Sequence, residues 1–416
     1  MQDPTRRIVI TGVGVLAPNG IGRSCFWKNT LQGVSGINRI TQFDVTDFPV
    51  TMAGEVKGFD PRDYFERGGA VKPRSMARHT LLALAATQLA LEDAGLAVSD
   101  LHKEPLLSLQ IGMSTAAIDI MERGKEALDR RGPGRINPNF LTACYPQGVS
   151  NAVADVFRLS CSRGTISSAC PSGMEAVARG AELIRSGRSP LVLAGGTDAP
   201  ITPLTLASLY TAGLAKDCPF PPEKASRPFD ARRACGLISE GACMLVLESY
   251  AHALDRGAEC LGEILGHGEV ADDPEGEVEN ALPRAMHRAV AQAGLVPEEI
   301  EYINAHAPSH PVLDRVETRR IKEVFGDRAL HLPVSSIKGA IGNPFAAAGP
   351  MQIAATVLAM REGCLPPTAN YEVPDPDCDL FVIPNDPLSL RVSKALVNMH
   401  GVGGGNSAMV LGRVLA

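Results

Sequence analysis

The chain has 416 residues, 45% of them hydrophobic and 21% charged, the balance of a soluble globular protein with room for two or three domain-sized units. A formal net charge of -6 argues against a nucleic-acid binder, which normally carries a basic excess. No run approaches the roughly 20 apolar residues of a membrane span, MQDPTRRIVITG has no signal-peptide core, and ten cysteines without a C-x-x-C pair speak for reduced thiols in a cytoplasm rather than a zinc or disulfide framework.

Strand-like and helical runs alternate, the pattern of an α/β layered fold. RRIVITGVGVL opens with a strand. HTLLALAATQLALEDAGL (79–96) is a long apolar helix closed by Gly95, and LLSLQIGMS is a strand. MEAVARGAELIRSG (174–187) is a helix ended by glycine, PLVLAGGTDA a buried strand, and GACMLVLES another. KDCPFPPEKASRPFD (216–230), rich in Pro and Lys, reads as a surface excursion.

A second half follows AHALDRGAEC. CLGEILGHGEV reads as a strand and ENALPRAMHRAVAQAGL as a helix. EEIEYINAHAPS ends a strand at His306, and DRVETRRIKEVFG is a helix. GPMQIAATVLAMREG is a long apolar helix, and SKALVNMHGVGGGNSAMVLGRV is a strand pair around a glycine loop. The two halves repeat a similar order of elements, consistent with a duplication.

Cys170, in SSACPSGMEAVARG, lies between small residues and a helical pattern. Either it is a buried sulfur in a tight turn, or a nucleophile whose thiolate the helix N-terminus favours. Pro171 suits the start of that helix. Among nine histidines, His102, His252 and His287 read as solvated surface residues, whereas His306 follows an apolar strand in NAHAPSH, where loops carry function. His306 and His310 do not form a zinc pair, because Pro308 and Pro311 forbid the helix that would bring them together. In SSIKGAIGNPFAAAG (335–349), Lys338 has small, apolar neighbours that suit a partly buried electrostatic role. Asn343 before proline is either a turn residue or a hydrogen-bond donor.

Two glycine patterns mislead. TGVGVLA (11–17) matches G-x-G-x-x-A after a strand, but Pro18 and Asn19-Gly20 prevent a helix from starting where a pyrophosphate would need one. HGVGGGNSA (400–408) fits a hairpin turn that brings backbone N–H groups near a ligand.

Together these stretches resemble the β-ketoacyl-acyl carrier protein synthase family, over essentially the whole chain. RRIVITGVGVLAPNG, SSACPSG, LVLAGGTDA, RPFD with EGACMLVLE, NAHAPSHPVLDRVE, SSIKGAIGN and GVGGGNSAMVL follow the family's order. The resemblance implies a thiolase-like, duplicated five-layer α-β-α-β-α architecture. It divides the chain into 1–253, carrying the nucleophile, and 254–416, carrying His306, Lys338 and Asn343. A thiolase proper has a second cysteine in the last glycine loop, which this chain lacks.

The implied chemistry is a Claisen condensation: an acyl group moves from a phosphopantetheine arm to Cys170, and a decarboxylated malonyl-type extender attacks it. By resemblance, His306 donates to the enolate oxygen, Lys338 supports the site's charge, and the backbone N–H groups of Cys170 and Val402 form the oxyanion hole. Asn343 stands where elongating members have a second histidine, and its amide supplies a donor in that place. The threonines that hold the arm become Pro308 and His310. The aromatic gate becomes the smaller His400 and Val402, and Gly236 replaces a phenylalanine facing the pocket. The resemblance further implies an acyl carrier protein as partner, a homodimer or a heterodimer with a second ketosynthase-like subunit, and no cofactor beyond the carrier-borne substrates. Lys72, Arg74 and Arg78 are a candidate basic patch for that acidic carrier. Two alternatives to condensation are a non-elongating acyl transfer and a non-catalytic partner like a chain-length factor.

Overall fold

The computed structural model describes residues 3–65, 71–234 and 236–414. The principal strands are β1 (Ile8–Ala17), β2 (Ser108–Gly112), β3 (Ser162–Ile166), β4 (Leu191–Asp198), β5 (Gly241–Ser249), β6 (Gly262–Ala271), β7 (Tyr302–Asn304), β8 (Pro333–Ser335), β9 (Phe381–Val382), β10 (Lys394–Gly401) and β11 (Gly405–Gly412). The principal helices are α1 (Arg78–Asp93), α2 (Ile118–Arg131), α3 (Gly148–Val156), α4 (Ser172–Arg185), α5 (Pro203–Thr211), α6 (Leu282–Gln292), α7 (Leu313–Phe325) and α8 (Ala348–Glu362).

The strands run in the order β9-β8-β7-β10-β11-β6-β1-β5-β4-β2-β3. The order is symmetric about the β1/β6 contact. In one half β1-β5-β4 pair antiparallel and β4-β2-β3 parallel; in the other β6-β11-β10 pair antiparallel and β10-β7-β8 parallel. The duplication suggested by the element order is therefore present in the topology. Helices α4 and α8 pack between the two half-sheets, α1 covers the outside of one and α6 the outside of the other, which gives the five layers.

Strand alternation sorts the residues into those layers. In β5, Cys243, Leu245 and Leu247 join the central core, while Ala242, Met244 and Val246 join the outer core under α1. In β11, Met409 and Leu411 face the centre, and Ala408 and Val410 face α6 and α7.

The first glycine pattern has a packing purpose. A Cβ at Gly12 or Gly14 would overlap the backbone of Ala90 or Ala86 on α1. The second half repeats the device, with Gly266 and Gly268 of β6 against Ala289 and Ala285 of α6. No nucleotide is needed to account for G-x-G.

Two sequence expectations fail here. The end of 216–230 is core rather than surface: Ser226, Arg227, Phe229 and Asp230 are all buried. The Arg227 guanidinium lies 4.1 Å from the Phe220 ring and donates to Asn370 O at 3.1 Å. His252 is not a free surface residue either, because its ring bonds the buried Glu248.

Candidate active site

The nucleophile turn joins β3 to α4. Ala169 adopts φ 64°, the left-handed region that non-glycine residues seldom enter, so the chain reverses sharply just before Cys170. Ser172 Oγ accepts the Ser168 N–H at 2.8 Å and braces the turn. The β10–β11 hairpin closes over it: a Cβ on Gly401 would overlap the Pro171 ring. The close approach of two backbones is what glycine permits there.

Cys170 is buried and lines one cavity with Val402 and Asn343, whose backbone N–H and side-chain amide each favour its thiolate. Asn343 is held by the segment beside Gly236, with its N–H donating to Leu237 O at 2.8 Å and its carbonyl accepting from Ser239 N at 3.0 Å. Its side chain lines the same cavity as Cys170.

The helix N-terminus is expected to favour the Cys170 thiolate, and burial opposes it. Desolvation first, and the Asp198 carboxyl second, push the Cys170 thiol up to about 12. Lys338, the Val402 N–H and Asn343 oppose this without overcoming it. The sulfur is therefore a thiol until a substrate arrives.

His306 follows β7, and Glu317 of α7 fixes it by accepting the backbone N–H groups of His306 at 2.7 Å and Ala307 at 2.6 Å. Its Nδ1 rests 3.4 Å from Met399 Sδ. A thioether can only accept, and weakly, so this contact does not fix which ring nitrogen carries the proton. Burial, then Lys338 and His400, hold His306 well below the ordinary histidine value, which favours the neutral ring.

Lys338 is fully buried rather than partly so, and it stands behind the cavity wall. Its Nζ donates to Gln352 Oε1 at 3.1 Å, while Gln352 Nε2 donates to Asn304 O and Ala305 O, both at 3.0 Å. Burial lowers Lys338 to about 8 against the pull of Glu317 and Cys170.

Cys170, His306 and Asn343 line one cavity of about 390 Å³, together with Gly236, Pro308, His310, His400 and Val402. Leu209, Leu214, Leu313 and Phe345 make much of the remaining wall apolar. His310 lies in the wall, but its ring is already engaged: Nε2 faces Gly213 O at 3.3 Å, and Nδ1 accepts the N–H groups of Val312 at 3.2 Å and Leu313 at 3.4 Å. Val402 contributes its backbone, while its side chain is 60% exposed, so the expected gate stands open at that position. The His400 ring meets His306 edge-on, with centroids 6.3 Å apart.

Of the suggested basic patch, Arg78 drops out: its guanidinium is held by the buried Glu240. Lys72 and Arg74 remain exposed. Among the described residues no group of three or more His, Cys, Asp or Glu side chains could hold a metal, and no helix is long and apolar enough to cross a membrane.

Residues 5–253 match the family model for the N-terminal domain of β-ketoacyl synthases, and residues 261–372 match the C-terminal domain. The chain is 35% identical to 3-oxoacyl-[acyl-carrier-protein] synthase 2 of Coxiella burnetii, covering 98% of this chain and 99% of that one. It is 34% identical to the Staphylococcus aureus protein of the same name, with the same coverage. Among solved structures, the ishigamide ketosynthase/chain length factor matches with a TM-score of 0.91 and 31% identity, over 99% of this chain and 100% of that one. A type II PKS ketosynthase, solved with its acyl-carrier protein and bound to the hexaketide, matches with a TM-score of 0.89 and 30% identity over 98% and 100%.

Proposed function

The chain belongs to the β-ketoacyl synthase family, and on that premise we propose that it loads an acyl group onto Cys170 and condenses it with a malonyl-type extender. The observation that carries this reading is that one cavity gathers the buried Cys170 sulfur, the His306 ring, the Asn343 side chain and Val402.

The acyl group arrives as a thioester on the phosphopantetheine arm of an acyl carrier protein. Cys170 Sγ attacks the carbonyl carbon, and the proton of the thiol leaves with the departing pantetheine sulfur. The N–H groups of Cys170 and Val402 hold the oxyanion of the tetrahedral intermediate. The extender then loses CO2, and its enolate oxygen accepts hydrogen bonds from Asn343 and His306. The enolate carbon attacks the Cys170 thioester, releases the sulfur and leaves a β-keto product two carbons longer. Lys338 supplies the positive field that steadies these anions. The protein needs no cofactor of its own.

The partners of this reading are an acyl carrier protein and a second ketosynthase-like chain, identical or not, in the cytoplasm. Lys72 and Arg74 are the remaining basic candidates for carrier docking. Acyl transfer without decarboxylation is a second reading, favoured by one feature: Pro308 has no hydroxyl to offer the arm, and His310 has both ring nitrogens engaged. The presence of Cys170 weighs against a purely non-catalytic partner.

The test feeds the purified chain with acyl-loaded and malonyl-loaded carrier protein. Mass spectrometry is expected to find Cys170 acylated, with CO2 release and an extended product, and no acylation in Cys170→Ala. Acylation without CO2 release would establish transfer instead. An inert Cys170 would overturn both enzymatic readings and favour the partner role.

A further inference from the structure

One buried acid takes no part in the arrangement above. Glu279 is 1% exposed, and neither of its side-chain oxygens has a hydrogen-bond partner. Its backbone is held at φ 62°, in the left-handed region, by its N–H donating to Asp272 Oδ2 at 2.9 Å and its carbonyl accepting from Leu282 N at 3.1 Å. A strained backbone that delivers an unpaired carboxyl group into the interior asks for a partner. The facing group is His400, whose Nε2 lies 4.0 Å from Glu279 Oε1.

The neighbours fix the tautomer of His400. Asn406 Nδ2 donates to Asp272 Oδ1 at 2.7 Å, Gly404 O at 3.0 Å and Val270 O at 3.2 Å. Three acceptors around one nitrogen set the amide orientation, so the Asn406 Oδ1 that faces His400 Nδ1 at 3.3 Å is an acceptor. Nδ1 therefore carries the imidazole proton, and Nε2 turns a lone pair toward Glu279.

We propose that Glu279 shares its proton with His400 Nε2, and that this acid–imidazole pair positions the Gly401–Gly404 hairpin, which brings Val402 into the same cavity lining as Cys170. As the proton moves, the O–H bond of Glu279 breaks and an N–H bond forms at Nε2. A neutral acid and imidazole become a carboxylate and an imidazolium, with no change in net charge. The imidazolium form puts a positive charge in the wall of the cavity that holds the Cys170 sulfur, where it favours the thiolate. Glu279 is a positioning residue that acts through His400.

The surroundings keep the proton in the pair. Asp314 and Glu317 on α7 and Asp272 after β6 face Glu279 from two sides, and burial together with these three charges raises its carboxyl well above the ordinary range, against Arg320 on α7. On its other side His400 meets the neutral His306 ring.

The test has two arms. In the first, 15N-histidine NMR follows His400 through a pH titration of the full chain. Wild type is expected to keep Nε2 hydrogen-bonded or protonated into the alkaline range, and Glu279→Gln to leave an imidazole that titrates below the ordinary histidine value. Coincident curves would overturn the proposal. In the second, Cys170 acylation by an acyl-pantetheine thioester is timed against pH. The wild-type rate is expected to bend on the alkaline side as the shared proton is lost. Glu279→Gln should lose that bend and be about tenfold slower near neutrality, the loss of one charge-assisted contact. An unchanged profile and rate would also overturn the proposal. If Glu279→Gln does not fold, the wild-type titration decides alone, since an unprotonated Nε2 throughout refutes the shared proton. Only the kinetic arm rests on the acylation chemistry proposed above, so failure of that reading leaves the NMR arm intact.

Discussion

Asn343 and Cys170 line one cavity, and the Asn343 amide favours the Cys170 thiolate, while the carbonyl oxygen of the same side chain is buried without a partner. Hydrogen bonds to charged groups contribute about 1.5–3 kcal/mol, so Asn343→Ala is expected to slow acylation of Cys170 by roughly 10–100-fold. Asn343→Asp should be slower still, because its carboxylate would oppose formation of the thiolate. Timed intact-protein mass spectrometry checks both, and equal rates for wild type and Asn343→Ala would remove Asn343 from the chemistry.

Lys338 acts on the same sulfur through its field. Its charge opposes the desolvation that raises the Cys170 thiol, and it titrates at about 8. Below that pH the ammonium is present and favours the thiolate; above it the amine is neutral and the help is gone. Lys338→Met should therefore slow iodoacetamide alkylation of Cys170 most clearly below pH ~8, with the two curves converging above it. A constant ratio across the range would contradict this account.

The residues that line the cavity were legible in the sequence because each stands in a compact motif: Cys170 before a helix, His306 after an apolar strand, Asn343 in a run of small residues. Their supports were not. Gln352 holds Lys338 and the His306 strand at once, yet in the sequence it is one polar residue inside the apolar run GPMQIAATVLAM. That lone amide was the available signal. Glu317 lies in the quoted DRVE, but its bonds to the His306 loop cross a long loop that no local pattern reveals. The G-x-G of β1 packs against the Ala86 and Ala90 face of α1, a use that only the fold reveals. That burial outweighs the helix N-terminus at Cys170 is not legible in the sequence, because the helix dipole is a local property and burial is not. Glu279 opens the stretch ENALPRAMHRAVAQAGL, read as a helix, but the helix starts only at Leu282 and Glu279 is buried just before it.

Gly236 gives the cavity its room. A Cβ there would meet Pro308 O at 3.3 Å and Leu214 O at 3.5 Å, so a small side chain fits with slight adjustment and a large one projects into the cavity. Gly236→Phe is expected to lower acylation by long or branched acyl groups at least tenfold while sparing acetyl, a selectivity change read as the ratio of kcat/KM values. A uniform loss across chain lengths would mean that Gly236 serves the backbone rather than the pocket.

Stability should follow the pair Glu248–His252 away from the site. Glu248 is buried between Thr11, His252 and Arg256. Burial raises its carboxyl, but the bonds from Arg256, His252 and Thr11 prevail and hold it at about 2. A depressed carboxyl contributes stability above its unfolded value near 4.5, and loses it as pH falls toward 2. The shift corresponds to something on the order of 3 kcal/mol. His252 runs the other way: the bond to Glu248 raises it above 6.5, so its share is complete below that value and is lost as pH rises through the folded value. The two windows overlap between about pH 5 and 6.5. Chemical denaturation across pH should therefore find Glu248→Gln most destabilising in that range, less so above it, and least near pH 2. A difference that persists undiminished at pH 2 would show that packing, rather than charge, makes Glu248 matter.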